Sequence, residues 1–325
     1  MDRLNEELKD KLIEVNSQMQ VKQGSYGLNK DSLTDFIKEY IGPIYMSQKM
    51  TTKDLKVIEK KGGVTGVDGS TNRLGGSNPH YIEIYQGLAK NTSDRKNPIF
   101  LSEVYTPLLD ERPKDKEEDD KREDEKNIKL ATIEVEAGLA SIKKHKPYVL
   151  MMDGGLIRYN IYAGNKWLEL VNLCEEEGII LIGLIKDIKT SIIGNALKDT
   201  KKDIKGDIYD RDLLFGLLKY GDMILINDEV NKKEQKGYGS VFIRTSLQPM
   251  AVGIDIIESQ KKHLKEMASL VLTLTPENGR GVPLWLDIID KEVKVSDEMI
   301  KALMERYLDR DIYERFFISE RDKRS

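Results

Sequence analysis

Apolar positions recur at helical spacing through the first sixty or so residues, and then the period changes. Leu4, Leu8, Leu12, Ile13 and Val15 stand among charged residues, which makes one narrow apolar stripe on a helix. Residues 31–40 continue in this style, with Asp31 or Ser32 as candidate caps, until Pro43 interrupts. Thr51 or Thr52 opens a further helix that ends near Lys60. The pattern predicts an N-terminal helical arm over residues 1–61. Its stripe would pack on the rest of the chain or on a second copy of it.

Gly62-Gly63 ends that pattern and a sheet begins. Residues 64–67 form a short apolar run, followed by a polar, glycine-bearing turn at 70–76. Residues 81–88 and 99–105 read as two more strands, joined to the first by short antiparallel connections. Residues 110–127 form an exposed charged insertion, a solvated loop or the start of a helix. A helix follows over 128–144, with Ile128, Ala131, Val135, Leu139 and Ile142 on one side. Residues 148–152 are a buried central strand. A helix at 166–177, a stop at Gly178 and a continuous apolar strand at 179–185 then predict a parallel pair buried on both faces. Beyond it come a short helix at 210–219, a hairpin at 223–227 and 238–244, and a strand at 250–257. Helices at 263–274 and 296–308 flank a break at 279–281. The whole reads as an α/β chain with a main domain over 62–325.

Composition narrows the function classes. The chain has 325 residues, 39% apolar and 33% charged, and no apolar run long enough to span a bilayer. The charged N-terminus lacks the apolar core of a signal peptide. A single cysteine, Cys174, excludes an intramolecular disulfide and fits a cytoplasmic protein. His80, His145 and His263 show no metal-ligand spacing, which argues against zinc. The net charge of −4 equals that of the insertion alone, which has ten acids and six bases. The remainder is near neutral, so composition does not by itself announce a polyanion ligand.

Candidate chemistry lies where apolar runs end in acid-glycine pairs. Gly66-Val67-Asp68-Gly69-Ser70 is one, and Leu150-Met151-Met152-Asp153-Gly154 is the other. Two strand-end carboxylates in one α/β chain suit a divalent cation with oxygen ligands, together with a substrate phosphate. The second parallel strand ends in Lys186-Asp187-Ile188-Lys189-Thr190-Ser191. Lys186, Lys189 and Ser191, with Ser70 after the first aspartate, are candidates for holding phosphate oxygens. No Gly-x-x-x-x-Gly-Lys-Ser/Thr loop occurs, so ATP-driven movement would have to come from a partner.

The order of strands and helices, with acids ending the first and central strands, is that of the ribonuclease-H-like fold. Within it the chain resembles the NurA family of nucleases. The resemblance spans about residues 60–295 and rests on Val67-Asp68-Gly69-Ser70, Leu150-Met151-Met152-Asp153-Gly154, the stretch 183–191, and Gly281-Val282-Pro283. It implies a metal-dependent DNA nuclease that uses Mn²⁺ or Mg²⁺, with two ions, in DNA end processing or anti-phage defence. A HerA-type hexameric ATPase is the implied partner, and the helical arm fits a homodimer. Asp68 and Asp153 match the family's catalytic aspartates. Spacing assigns its helical glutamate to Glu136, with Glu134 as the alternative. The family's Gly-Tyr-Pro is Gly281-Val282-Pro283 here, and the position of its following histidine is Asp290. The implied metal cage is Asp68, Glu136, Asp153 and Asp290, with Lys186 as a catalytic cation. The departures at Val282 and Asp290 leave an alternative, a nuclease-fold scaffold that docks on such an ATPase and regulates it.

Overall fold

The computed structural model describes residues 2–24, 29–110, 118–201, 206–231, 233 and 237–318. Three helices and a short strand come first: α1 (Asp2–Gly24), α2 (Lys30–Tyr40), β1 (Ile44–Met46) and α3 (Thr52–Lys60). The Asn29 side chain, not Asp31 or Ser32, caps α2 by accepting the Ser32 N–H. Thr51 caps α3 in a reciprocal capping box with Asp54. A meander follows, made of β2 (Val64–Gly75), β3 (Tyr81–Asn91) and β4 (Ile99–Tyr105). Then come α4 (Glu118–His145), β5 (Val149–Asp153), α5 (Leu156–Tyr162), α6 (Gly164–Glu177) and β6 (Ile180–Ile185). Gly178, at φ 68°, ends α6 in the left-handed conformation that glycine adopts without strain. The rest is α7 (Ile192–Thr200), α8 (Asp210–Leu214), β7 (Asp222–Leu225), β8 (Tyr238–Ile243), β9 (Val252–Ile257), α9 (Leu264–Leu274), α10 (Leu284–Val293), α11 (Asp297–Tyr307) and α12 (Arg310–Phe316).

Among the described residues nine strands form one mixed sheet in the order β1-β7-β8-β9-β6-β5-β2-β3-β4. Pairing is parallel at β2–β5 and β5–β6 and antiparallel elsewhere. Helices cover both faces, which is the ribonuclease-H-like arrangement. The central strand shows why both faces must be covered. Leu150 and Met152 pack with Trp167 and Leu170 of α6 and Ala131 and Val135 of α4. Val149 and Met151 pack with Met267 and Val271 of α9 and Leu286 and Ile289 of α10. Alternate side chains thus enter two separate cores.

Two expected features take another form. Within residues 1–61, α2 and β1 are built into the main body. Leu33 and Ile37 of α2 are buried against Ile224, Ile226 and Phe242, and β1 is an edge strand on β7. Three residues of strand after Pro43 carry too little pattern to be recognised alone. The α1 side chains Leu8, Leu12, Ile13 and Met19 are exposed. The first strand also does not end at Asp68. β2 runs twelve residues, and the polar stretch 70–75 is held as strand by its pairing with β3. Of the charged insertion, Glu118 onward forms the first turns of α4, and 111–117 lie outside the described residues. Among the described residues no helix is long and apolar enough to cross a membrane.

Candidate metal centre

The parallel pairing of β2 with β5 stops at Val67 opposite Met152. Asp68 and Asp153 are the next residue on each strand, so both carboxylates stand where the two strands part. Alternation turns Asp68 to the face covered by α10. That helix comes close because Gly66 has no side chain: a Cβ there would lie 2.5 Å from Ile289 Cδ1. One residue beyond Ile289, Asp290 reaches the strand ends. Asp68, Asp153 and Asp290 each present a carboxylate oxygen within 4.8 Å of the others.

The opposite face supplies a fourth acid. Glu134 on α4 is 1% exposed and lies against Gly69, where a Cβ would sit 2.5 Å from its Oε1. Arg158 of α5 donates to both Glu134 oxygens, at 2.9 and 3.5 Å. Glu136 is not brought to this place. Its half-exposed side chain lies 3.8 Å from Lys166. Two residues along a helix are about 200° apart, so α4 can turn only one of these glutamates to the sheet.

Cations frame the cluster. Lys186, just past the end of β6, is bonded to Asp153, and its Nζ is 3.9 Å from Asp290. Arg280 donates to Asp287 at 2.7 Å and lies 3.8 Å from Asp290. The Tyr159 hydroxyl donates to the Asp153 carbonyl at 3.1 Å. The phosphate candidates are scattered. The Ser70 hydroxyl accepts the Val295 N–H at 3.4 Å, and Lys189 is exposed. Ser191 stands at the N-terminus of α7, an end suited to anions. That end is filled from within. Buried Asp210 accepts the N–H groups of Ile192, Ile193 and Gly194 at 2.8, 2.8 and 3.3 Å and the Thr190 hydroxyl at 2.6 Å. In the sequence Asp210 reads only as a helix start, and nothing local signals a role twenty residues away.

The electrostatics are those of a site short of positive charge. Burial, then Asp153 and Glu134, push the Asp68 carboxyl up to about 8, although Lys186 opposes them. Burial raises Asp153 as well, against the pull of Lys186. Burial lifts Glu134 to about 6, against Arg158. Lys186 is itself raised: burial works against its charge, but Asp153, Asp68 and Asp290 outweigh it. Converging hard oxygen donors that repel one another are the donor set that Mg²⁺ or Mn²⁺ takes, so these residues fit a divalent ion.

A model of the NurA domain matches residues 62–295, most of the chain. The chain belongs to the NurA family. The NurA nuclease from Sulfolobus solfataricus has the same fold, with a TM-score of 0.58 at 14% identity over 92% of this chain and 95% of that one. Endonuclease V from Bacillus subtilis aligns with a TM-score of 0.40 at 14% identity, over 84% of this chain and 91% of its own. Human endonuclease V gives 0.41 at 13% identity, over 84% and 98%. No curated protein matches the chain by sequence. NurA proteins are nucleases, and the acidic cluster lies inside the matched segment. Val282 is 2% exposed and belongs to the core beneath α10.

Proposed function

We propose that this chain is a deoxyribonuclease that hydrolyses phosphodiester bonds with bound Mn²⁺ or Mg²⁺. The observation that carries the reading is the convergence of Asp68, Asp153 and Asp290 to within 4.8 Å. These three would hold the metal. Of the two glutamates considered, Glu134 is the one whose charge acts on Asp68. A bound divalent ion supplies a water of lowered pKa and a charge opposite the leaving oxygen. Asp68 keeps its carboxylate in a buried, largely dry position, where its attraction for a cation is strong. Lys186 holds a positive charge at the rim, where the scissile or neighbouring phosphate would come. Lys189 extends that charge into solvent, and Ser70 and Ser191 would add hydroxyls for phosphate oxygens.

A HerA-type hexameric ATPase is the proposed partner, in DNA end processing or anti-phage defence. The absence of a phosphate-binding loop in the chain supports an outside motor. The exposed apolar side chains of α1 support a homodimer in which a second copy covers them. The test is cleavage of labelled linear and circular DNA with Mn²⁺, Mg²⁺ or EDTA. Wild type is expected to cut with metal only, and Asp68→Ala to fall to background. Loss in Asp290→Ala as well would assign that aspartate the place of the family histidine.

Arg158 and Lys186 favour a second reading, because both already occupy carboxylates of the site. In that reading the chain is a scaffold that docks on the ATPase. An inert scaffold would show no Mn²⁺-dependent rise in melting temperature, with or without Asp68.

A further inference from the structure

A cavity of about 370 Å³ lies between the first half of α4 and the outer ends of β2, β3 and β4. Odd-numbered residues of β2 face α4: Thr65 bonds Ser141, and Gly69 meets Glu134. Thr71 and Arg73 continue that face and line the cavity. From Asp68 to Gly75, β2 pairs with β3 on one side and, among the described residues, with no strand on the other. This stretch of β2, tied on its other face to Val295 and Asp297 through Ser70 and Asn72, joins the acidic cluster to the cavity. At strand rise the step from Asp68 to Thr71 and Arg73 is roughly 10–17 Å, the reach of a few nucleotides.

The lining is aromatic and electrically balanced. The Arg73 guanidinium lies 3.6 Å from the centre of the Tyr81 ring. Lys129 Nζ is 5.8 Å from the Tyr85 ring and 5.3 Å from that of Tyr105. Three cations, Arg73, Lys126 and Lys129, face three acids, Glu83, Glu123 and Glu125. Burial and the Glu83 carboxylate hold the Tyr85 phenol protonated. Thr71 Oγ1, in the same wall, is buried without a hydrogen-bond partner among the described residues. Such a lining offers a phosphate no net attraction. A flat, neutral group with polar edges suits it, because aromatic rings and guanidinium planes both stack on bases.

Resting on the nuclease reading, we infer that this cavity receives one nucleobase of the substrate strand, a few nucleotides from the bond that is cut. The test uses the full chain and short fluorescein-labelled single-stranded DNA with one abasic residue at each position in turn. Binding is read by anisotropy in EDTA, and the cut is mapped separately with Mn²⁺. One position is expected at which loss of the base weakens binding by about tenfold. That penalty should vanish in Tyr105→Leu, shrink in Arg73→Gln and return in Tyr105→Phe, which keeps the ring. A flat abasic scan, or a penalty that survives in Tyr105→Leu, overturns the assignment while wild-type cleavage still upholds the nuclease. A wild type that neither binds nor cuts DNA overturns both.

Discussion

Asp255 and Asp68 are both buried carboxylates of the same sheet, with opposite surroundings. Asp255 on β9 is fully enclosed and well supplied. It receives Lys233 Nζ at 2.8 and 2.9 Å, the Ser240 hydroxyl at 2.7 Å and the Leu156 N–H at 3.2 Å. Asp68 receives the N–H of its neighbour Gly69 at 2.8 Å, and around it the charges of Asp153 and Glu134 stand against that of Lys186, with no cation bonded to it directly among the described residues. Charging a buried carboxyl that lacks a bonded cation is costly, so Asp68 holds its proton until a cation brought from outside can replace it. Asp255 shows what the same chain builds when a carboxylate is there for structure. Its bond to Leu156 also holds the start of α5, the helix that carries Arg158 and Tyr159.

The contrast can be broken at either end. The largest effect on stability is expected from Asp255→Ala, which leaves the largely enclosed Lys233 without its carboxylate and should cost about 3–5 kcal/mol. Chemical denaturation would measure it, and added Mn²⁺ should not restore it. A smaller effect is expected from pH. With its carboxyl raised to about 8, folded Asp68 keeps a proton that the unfolded chain releases near pH 4. Stability of the metal-free protein should therefore fall as pH rises from about 4 to about 8, with Glu134 adding to the fall up to about 6. Melting temperatures across that range test the sign. Mn²⁺ should lessen the loss at the alkaline end, and Asp68→Asn should flatten the curve; a curve that rises instead would contradict the picture of the cluster. The smallest effect is expected from Glu136→Gln, about 0.5 kcal/mol or less, since an exposed pair with Lys166 is worth little. Cleavage should be unchanged in it and strongly reduced in Glu134→Gln.

Much of the sheet could be read from residue patterns. Alternating and continuous apolar runs mark β3, β5, β6 and β8, because burial on one or both faces imposes that order directly on the chain. β1 could not be read, since three residues of edge strand carry no period. The helical glutamate was equally hidden. Glu134 and Glu136 have the same side chain and nearly the same neighbours, and they differ only in which side of α4 meets the sheet.

The chain alone determined that Asp153 and Lys186 would come at strand ends and that Asp68 would close an apolar run, because such a run must stop where the core stops; β2 itself continues past Asp68 to Gly75. Tertiary packing alone decided what those ends would meet. Gly66 admits α10 and so Asp290, Gly69 admits Glu134, and Asp210 closes the end of α7. The residues of each pairing lie far apart in the chain, and whether they meet depends on how closely helix and sheet can approach.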